Sequence, residues 1–488
     1  MAHSAGKVGG CRNVVLADLL DELGWSNSGV ASAINTILGA GYIARSTISE
    51  WVNQSRVPRE PLPVVVAHVL STAVGRTVLA QQLWPTWVPR SPVWVSADTG
   101  TDVPWTAKGT RALIRDWLTN GRNAMDTDRR NFMAISGAAA TVPALTYADT
   151  TNFGPSSNGA LTTGMGSVER STFTVSPAYV DVIEATIGGL RRMDDVEGGG
   201  GDSLRAAYRE FHTVADLAHN GRFSDTDTAG RFMSAFAQLC QSAGWMALDA
   251  QQQGLAWRYF RTGLQAAHHS ADHSIGAHIL GSMSYQAATQ GNPHDAIQLG
   301  AAAIKTAEKC HPLVRAVVAG EYAYAQAAMG NQYQSCSAAA QMQTHTERGE
   351  IMGDGPGYLY WMDEHAVARR TGRASLLLAL HLNGPAKTLS DEADKLLTPQ
   401  IADHPDLRPR YACLYGAWLS RLYVRRSDIE HAIDTATTAL HRLQSVRSPM
   451  TITVLRDLDA DLATHRAGQT MPQIRQLRRE LHPIIATA

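Results

Sequence analysis

The first 84 residues alternate short apolar stretches at helical spacing with glycine and polar breaks. Residues 12–24 end at Gly24, a suitable helix C-cap, and residues 26–28 (Ser-Asn-Ser) offer N-caps to a second helix that stops at Gly39 and Gly41. The pattern predicts two short helices joined to a third by a glycine-containing turn. Their apolar faces are Val15, Leu16, Leu19, Leu20 and Leu23 in the first, and Val30, Ala31, Ile34 and Leu38 in the second.

The third stretch, residues 44–58, reads ARSTISEWVNQSRVP and predicts a helix over 44–54. Helical spacing places Thr47, Ile48, Trp51 and Val52 on an inward face. The opposite face carries the residue types that read base edges in a major groove. An ordinary amphipathic surface helix explains the same pattern. The polar residues of this face are Arg45, Ser46, Ser49, Glu50, Asn53, Gln54 and Arg56.

From residue 203 onward the chain reads as helix after helix, with a repeat. The turn between two successive helices serves as the origin of each repeat. Small residues recur ten residues before and nine residues after each origin. Two antiparallel helices need small residues where their axes come closest. The origins are Gly254, Gly291, Gly330, Gly384 and Ser427; the preceding small residues are Gly244, Gly281, Gly320, Ala374 and Ala417; the following ones are Gly263, Gly300, Ala339, Ala393 and Ala436.

Three domains follow: a head at 1–84, a linker with helical segments and a flexible loop at 85–202, and a repeat domain at 203–488. Residues 85–105 contain four prolines, residues 149–174 read as a mobile loop, and 198–201 are four glycines that break the chain. Residues 344–358 predict a loop inserted in the repeats. An irregular helical domain is the alternative to a repeat array.

Composition indicates which partners the protein can attract and where in the cell it functions. The chain of 488 residues carries 43 Lys plus Arg against 44 Asp plus Glu, so no global attraction to nucleic acid or anionic lipid exists. Its five cysteines are scattered, and no apolar run is long enough to span a membrane, which together predict a cytoplasmic protein. Residues 1–84 hold six basic and five acidic residues, so a single head should bind DNA weakly and we expect a homodimer.

The helix order, the segment STISEW and the following Arg56-Val57-Pro58-Arg59 resemble the lambda-repressor/Cro-like (XRE-type) helix-turn-helix domain. The resemblance covers about 60 residues and implies that the third helix enters the major groove of an operator in double-stranded DNA while the basic loop contacts phosphate. Arg45, Asn53 and Gln54 are the expected base readers. Arg56, Arg59, Ser46 and Ser49 are expected at phosphates, and Thr47 completes the DNA-binding set.

Residues 205–466 resemble a degenerate tetratricopeptide array, whose first helices would line a groove for a signalling peptide, a small molecule or a partner protein. The expected ligand-binding residues are His278, Ser282, Gln286, Glu321 and Gln326. Tyr285 and Tyr324 share one position in successive repeats and are expected to pack between them. The combination looks like the ligand-responsive regulators of Gram-positive bacteria, in the style of actinobacteria.

The sequence therefore predicts an all-α transcriptional regulator, a helix-turn-helix bundle followed by an α-solenoid. A helical scaffold for protein interaction, without sequence-specific DNA binding, is the alternative. An enzyme is disfavoured because GxxxxGK[ST], HExxH and GxSxG are absent, and no cofactor is expected. His269 and His273 have metal-ligand spacing, yet a helix break at residues 270–272 should separate them, so no metal site is expected.

Overall fold

The structure is a computed structural model that describes residues 12–38, 41–58, 62–74, 78, 80–84, 103–120, 146–147, 174–381, 387–401, 408–466 and 471–486. The described residues form two compact units, one up to residue 103 and one from residue 104 onward. Nearly all regular structure in these ranges is helical, so the all-α prediction is confirmed. Residues 149–173 of the predicted loop and most of the predicted linker at 85–105 lie outside the described residues. None of the described helices combines the length and apolarity that a membrane crossing requires.

The described residues of the first unit, named here the head, form five helices. They are α1 (Val14–Leu23), α2 (Asn27–Leu38), α3 (Arg45–Gln54), α4 (Leu62–Val74) and α5 (Ala80–Leu83). Asn13 caps α1 by accepting from the Leu16 amide, and its Nδ2 donates to the Leu83 carbonyl at 2.8 Å. One asparagine therefore joins the beginning of the head to its end. Gly24 ends α1 in the left-handed conformation, as predicted.

The second unit begins with α6 (Ala107–Asn120), α7 (Pro177–Glu197) and α8 (Asp202–Asn220); β1 (Thr174–Val175) pairs in parallel with β2 (Arg222–Phe223). Helix pairs follow in which successive helices pack against each other, and the first helices of neighbouring pairs also touch. This is the predicted solenoid-like array. The pairs are α9 (Thr226–Asp249) with α10 (Gln253–His269), α11 (His273–Thr289) with α12 (Pro293–Ala307), α13 (Pro312–Ala328) with α14 (Gln332–Met352), α15 (Glu364–His381) with α16 (Lys387–Leu397), α17 (Pro409–Arg425) with α18 (Ile429–Arg442), and α19 (Pro449–Thr464) with α20 (Pro472–Ala486).

The small residues of the repeat lie where helices approach most closely. A Cβ added at Gly244 would meet the Phe260 ring at 2.5 Å, and one at Gly320 would meet the Met342 sulfur at 2.7 Å. One proposed origin is wrong: Gly254 lies inside α10, and the turn before it is made by Gln251 at φ 60°. The left-handed conformation there is held by a residue other than glycine, so composition did not reveal the turn. Gly384 is outside the described residues.

Two further predictions need correction or refinement. The predicted loop at 344–358 is wrong over its first nine residues, because α14 continues to Met352. Two helices in the predicted linker, α6 and α7, pack against the array: Trp117 of α6 stacks on the Tyr259 ring at 4.7 Å and donates to the Thr262 hydroxyl at 2.9 Å. The glycine run does break the chain, between α7 and α8, and it is packed tightly there. An added Cβ at Gly199 would lie 2.7 Å from the Met246 backbone.

Candidate functional site

The connection between α2 and α3 is fixed by a side chain. The amide of Asn35 pairs with both backbone groups of Ile43: Nδ2 donates to the carbonyl at 3.0 Å, and Oδ1 accepts from the N–H at 2.8 Å. Gly41 within this turn has φ 78°. These bonds hold the beginning of α3 at a set position relative to α2, which the sequence alone did not indicate.

Helix α3 buries one face and exposes the other, as predicted. Ile48, Trp51 and Val52 are buried in the head core, where the Trp51 ring meets Trp84 edge-on at 6.0 Å. This packing fixes α3 on the surface of the head. Of the predicted DNA-binding set, Arg45, Ser46, Asn53, Gln54 and Arg56 are exposed, Thr47 and Ser49 are half-buried, and Arg59 lies outside the described residues.

Charge on the exposed α3 face is partly cancelled. Arg56 forms a 2.6 Å ion pair with Glu50, whereas Arg45 forms no ion pair with the described residues. Asn53 Nδ2 donates to the Ser49 hydroxyl at 3.0 Å, so two of the candidate contact residues are held together on successive turns. The face presents donors and acceptors in a fixed arrangement, with about one free positive charge.

The second candidate site is a cavity of about 60 Å³ inside the array, named here the inner cavity. Its walls come from the first helices α9, α11, α13, α15 and α17, from α7, and from the connection after α14. The first helices supply the predicted groove surface, but α7 and the connection lie over it. The lining residues are Arg191, Asp194, Asp195, Gln241, Ser242, Trp245, Met246, His278, Glu321, Tyr358, Tyr360, Trp361, Arg370 and Tyr411.

The structure does not gather the five predicted ligand residues into one site. His278 and Glu321 line the inner cavity, and Ser282 lies behind it, donating to the His278 carbonyl at 3.0 Å. Gln286 instead donates to the Gln253 carbonyl at 2.8 Å, and Gln326 accepts from the Asn331 amide at 2.8 Å. These two glutamines stabilise turns, because each forms a hydrogen bond with a group at the connection between two successive helices.

Glu321 is the centre of a buried ion network. It pairs with Arg370 and, at 3.1 Å, with Arg373. The Arg373 guanidinium contacts two aromatic rings, 4.4 Å from the centroid of Tyr285 and 4.3 Å from that of Tyr324. The two rings are 5.0 Å apart, which confirms that the repeated tyrosines pack between repeats. Glu321 is thus occupied by arginines of the chain itself.

A second buried network lies at the other side of the inner cavity and was missed by sequence reasoning. Arg410 pairs with Asp194 at 2.9 Å and Asp249 at 3.4 Å, and Asp249 accepts from the Ser448 hydroxyl and the Gly199 amide. It joins α7, α9, α17 and the beginning of α19. Its one signal in the sequence is the charged run Arg-Arg-Met-Asp-Asp at 191–195, which falls in the predicted linker.

Burial shifts the pKa of two groups in this cavity in opposite senses. Burial raises the pKa of Asp194 to about 7, against the opposing effect of Arg410. Burial, with Arg191 and Arg370 nearby, lowers the pKa of His278 to about 3, so the ring is neutral near pH 7. Neither nitrogen of His278 forms a hydrogen bond with the described residues, and its ring stacks on Tyr358 at 5.7 Å.

The predicted break between His269 and His273 is confirmed. Helix α10 ends at His269, Ala271 adopts φ 54°, and Asp272 caps α11 at His273. Within the described ranges no group of three or more His, Cys, Asp or Glu side chains has a geometry suited to a metal ion.

Comparison with known proteins gives a match to the head. A protein-family model described as the SP15 N-terminal domain matches residues 16–83, which span α1 to α5. No curated protein and no solved structure matches the chain significantly. The match covers the first unit alone and assigns no activity to the array.

Proposed function

We propose that this protein is a sequence-specific DNA-binding transcriptional regulator, with α3 as the helix that enters the major groove and the helical array as its sensor and dimerisation domain. The observation that carries the proposal is the exposed face of α3. Arg45, Asn53 and Gln54 project from a helix that is fixed by buried Trp51 and by the Asn35 pairing at its beginning. Rigid placement of such side chains is what base recognition requires.

The residue types indicate which side chains contact bases and which contact phosphates. Arg, Asn and Gln each present two hydrogen-bonding atoms that match G or A edges, so Arg45, Asn53 and Gln54 are assigned to bases. Ser46, Ser49, Thr47, Arg56 and Arg59 are assigned to phosphates or to supporting positions beside them. Arg56 must release Glu50 to reach a phosphate, which costs little because both side chains are exposed.

Dimerisation is part of the proposal because one head offers little charge. With Arg56 paired to Glu50, the α3 face contributes few counterion-releasing contacts, and affinity for DNA depends strongly on the number of those contacts. Two heads joined through their arrays raise the effective concentration of the second head. The expected operator is therefore a pair of half-sites.

The test is an electrophoretic mobility shift with the DNA upstream of the protein's own coding region, followed by footprinting. Arg45→Ala should weaken specific binding by about 1–3 kcal/mol, the range for loss of one bidentate base contact. Arg12→Ala is the matched control, since Arg12 is also an exposed arginine of the head but lies before α1.

Equal effects of Arg45→Ala and Arg12→Ala on the specific complex would reject the assignment of α3. Absence of any sequence-selective complex at moderate salt, with and without cell extract, would favour the alternative, a helical scaffold that binds other proteins.

A further inference from the structure

The inner cavity holds polar groups that the protein itself does not satisfy. His278 is 7% exposed and makes no side-chain hydrogen bond with the described residues, and the Tyr358 hydroxyl is buried without a partner among them. A buried polar atom left without a partner costs about 1–3 kcal/mol, so native proteins retain such atoms where something else satisfies them. Both side chains line the same cavity.

Arg191 differs from the other arginines around this cavity. Its guanidinium donates to the Ser242 hydroxyl at 3.0 Å and faces the Tyr358 ring at 5.6 Å, yet it forms no ion pair with the described residues. Burial lowers the pKa of Arg191 only to about 10, so the group remains a cation near pH 7. Arg191 is half-buried, and a partly desolvated cation without a paired carboxylate is stabilised when an anion binds beside it.

The charge balance around the cavity also favours an anion. Five arginines line the cavity or pair with its carboxylates, against four carboxylates, which leaves one positive charge in excess. The two acids nearest to Arg191 along α7 are already paired, Asp194 with Arg410 at 2.9 Å and Asp195 with Arg408 at 3.1 Å. The five arginines are Arg191, Arg370, Arg373, Arg408 and Arg410, and the four acids are Asp194, Asp195, Asp249 and Glu321.

The size of the cavity limits the ligand. A volume of 60 Å³ is several times the roughly 10–15 Å³ that a single water needs, so the cavity has room for a ligand of only a few non-hydrogen atoms. The cavity is small because α7 and residues 353–363 cover the first helices: Tyr360 donates to Asp195 at 2.5 Å, and Tyr358 stacks on His278. A peptide does not fit unless this cover moves.

We propose that the inner cavity binds a small oxyanion, a short carboxylate or inorganic phosphate, through the Arg191 guanidinium and the His278 imidazole. The anion is then the class of signal that the array takes, which rests on the sensor role proposed above. It lies where α7, α9, α11 and the connection after α14 meet, so its binding tightens the cover over the first helices.

The experiment measures binding to the full chain without DNA. Acetate, phosphate and sulfate are the probes, each titrated calorimetrically in a cationic buffer at constant ionic strength with chloride as background. Thermal unfolding is followed in parallel, because a ligand that binds only the folded state raises the midpoint temperature. Saturable binding of acetate identifies a carboxylate site, and saturable binding of phosphate or sulfate in its place identifies a site for tetrahedral anions; both support the proposal.

Arg191→Gln should weaken the bound probe about tenfold or more, because it removes a charge-assisted contact. Arg192→Gln is the matched control: it removes the same charge from the next residue of α7, whose side chain is exposed, and should change the affinity less than about twofold. Equal loss in both variants, or no saturable binding of any probe to the natural protein, overturns the proposal.

A second variant covers the case in which Arg191→Gln does not fold, as judged by circular dichroism. His278→Leu has similar volume and removes no hydrogen bond, so the fold should persist while the probe binds several-fold more weakly. Unchanged affinity in folded His278→Leu also overturns the site. Because DNA binding is scored separately, a protein that binds the probe but not DNA retains this site and loses only the regulator proposal.

Discussion

The head and the array use polar residues in opposite ways. On α3 of the head, Arg45, Asn53 and Gln54 are exposed, and the ion pair between Arg56 and Glu50 is at the surface. In the array, several charged residues of the first helices are buried and paired with each other, as Glu321 is with Arg370 and Arg373. Surface polar groups can exchange water for DNA at little cost, whereas buried ones are already committed to the fold.

A groove predicted from a repeat pattern can be covered by other elements of the same chain. The first helices do share one face, but α7 and the connection after α14 cover it, and the buried ion networks hold the cover in place. On the side of the first helices, the inner cavity offers a ligand a small space beside Arg191, which forms no ion pair with the described residues. The head, by contrast, offers an extended surface.

The largest expected effect is on the array's ion network. Glu321→Ala should lower the free energy of unfolding by about 3–5 kcal/mol, because it leaves two buried arginines without their carboxylate. Glu50→Ala in the head is the comparison, with an expected loss below about 1 kcal/mol because its pair is exposed. Urea denaturation followed by circular dichroism measures both, and comparable losses would contradict the contrast between buried and exposed pairs.

The next effect is a pH dependence. Because the folded protein holds the pKa of His278 near 3, below its ordinary 6.5, His278 contributes stability above pH 6.5 that is lost as the pH falls toward 3. Asp194, with its pKa raised from 3.8 to about 7, acts in the opposite sense: its contribution is present below pH 4 and lost as the pH rises to 7. The two effects offset each other in the natural protein between about pH 4 and 6.5.

Replacing His278 by Leu removes one of these two opposing pH effects, so the contribution of His278 can be measured. From pH 6.5 down to pH 4 the natural protein should lose stability relative to His278→Leu by about 1 kcal/mol per pH unit. Denaturation curves at half-unit intervals, in buffers free of carboxylate and phosphate, measure the difference. A difference that does not change with pH would mean that His278 titrates normally in the folded protein.

A smaller effect concerns the turn between α7 and α8. Gly199→Ala should lower the free energy of unfolding by about 1–3 kcal/mol, since the added Cβ would lie 2.7 Å from the Met246 backbone. Gly189→Ala in α7 is the matched control: its Cβ would meet nothing within 4 Å, and the change should stabilise the helix by about 0.5–1 kcal/mol. Equal and small effects would show that the glycine run is loosely packed.

The smallest expected effect on stability is that of Glu50→Gln, which should nevertheless change DNA binding measurably. Glu50→Gln releases Arg56 from its ion pair, so binding to all DNA sequences should strengthen several-fold at low salt while the free energy of unfolding changes by less than about 1 kcal/mol. Binding isotherms at several salt concentrations provide the check, and the salt dependence should steepen. Weaker binding by Glu50→Gln would indicate that Glu50 contacts a base.

Periodicity predicted much of the fold because helical burial follows sequence spacing directly. The inward face of α3, the small residues at helix contacts such as Gly244, and the packing of Tyr285 on Tyr324 were all predicted in this way. Long-range pairing was not predicted. Arg410 meets Asp194 across 216 residues of sequence, and nothing local distinguishes that arginine from an exposed one.

The candidate site shows the same division. His278 and Glu321 were selected because they lie on first helices, and both do line the inner cavity. Gln286 and Gln326 also lie on first helices, but they are near the C-terminal ends of those helices, where their side chains reach the turns. Arg191 was missed because it lies in a segment that reads as linker, so its position depends on how α7 packs.

The central claim is that α3 reads DNA sequence, and selection of binding sites from a random DNA pool tests it most directly. The natural protein should enrich paired half-sites, and Asn53→Ala should enrich a motif with one relaxed base position, whereas Arg56→Ala should enrich the same motif more weakly at every position. Enrichment of no motif by the natural protein, or an identical change in both variants, would contradict the claim.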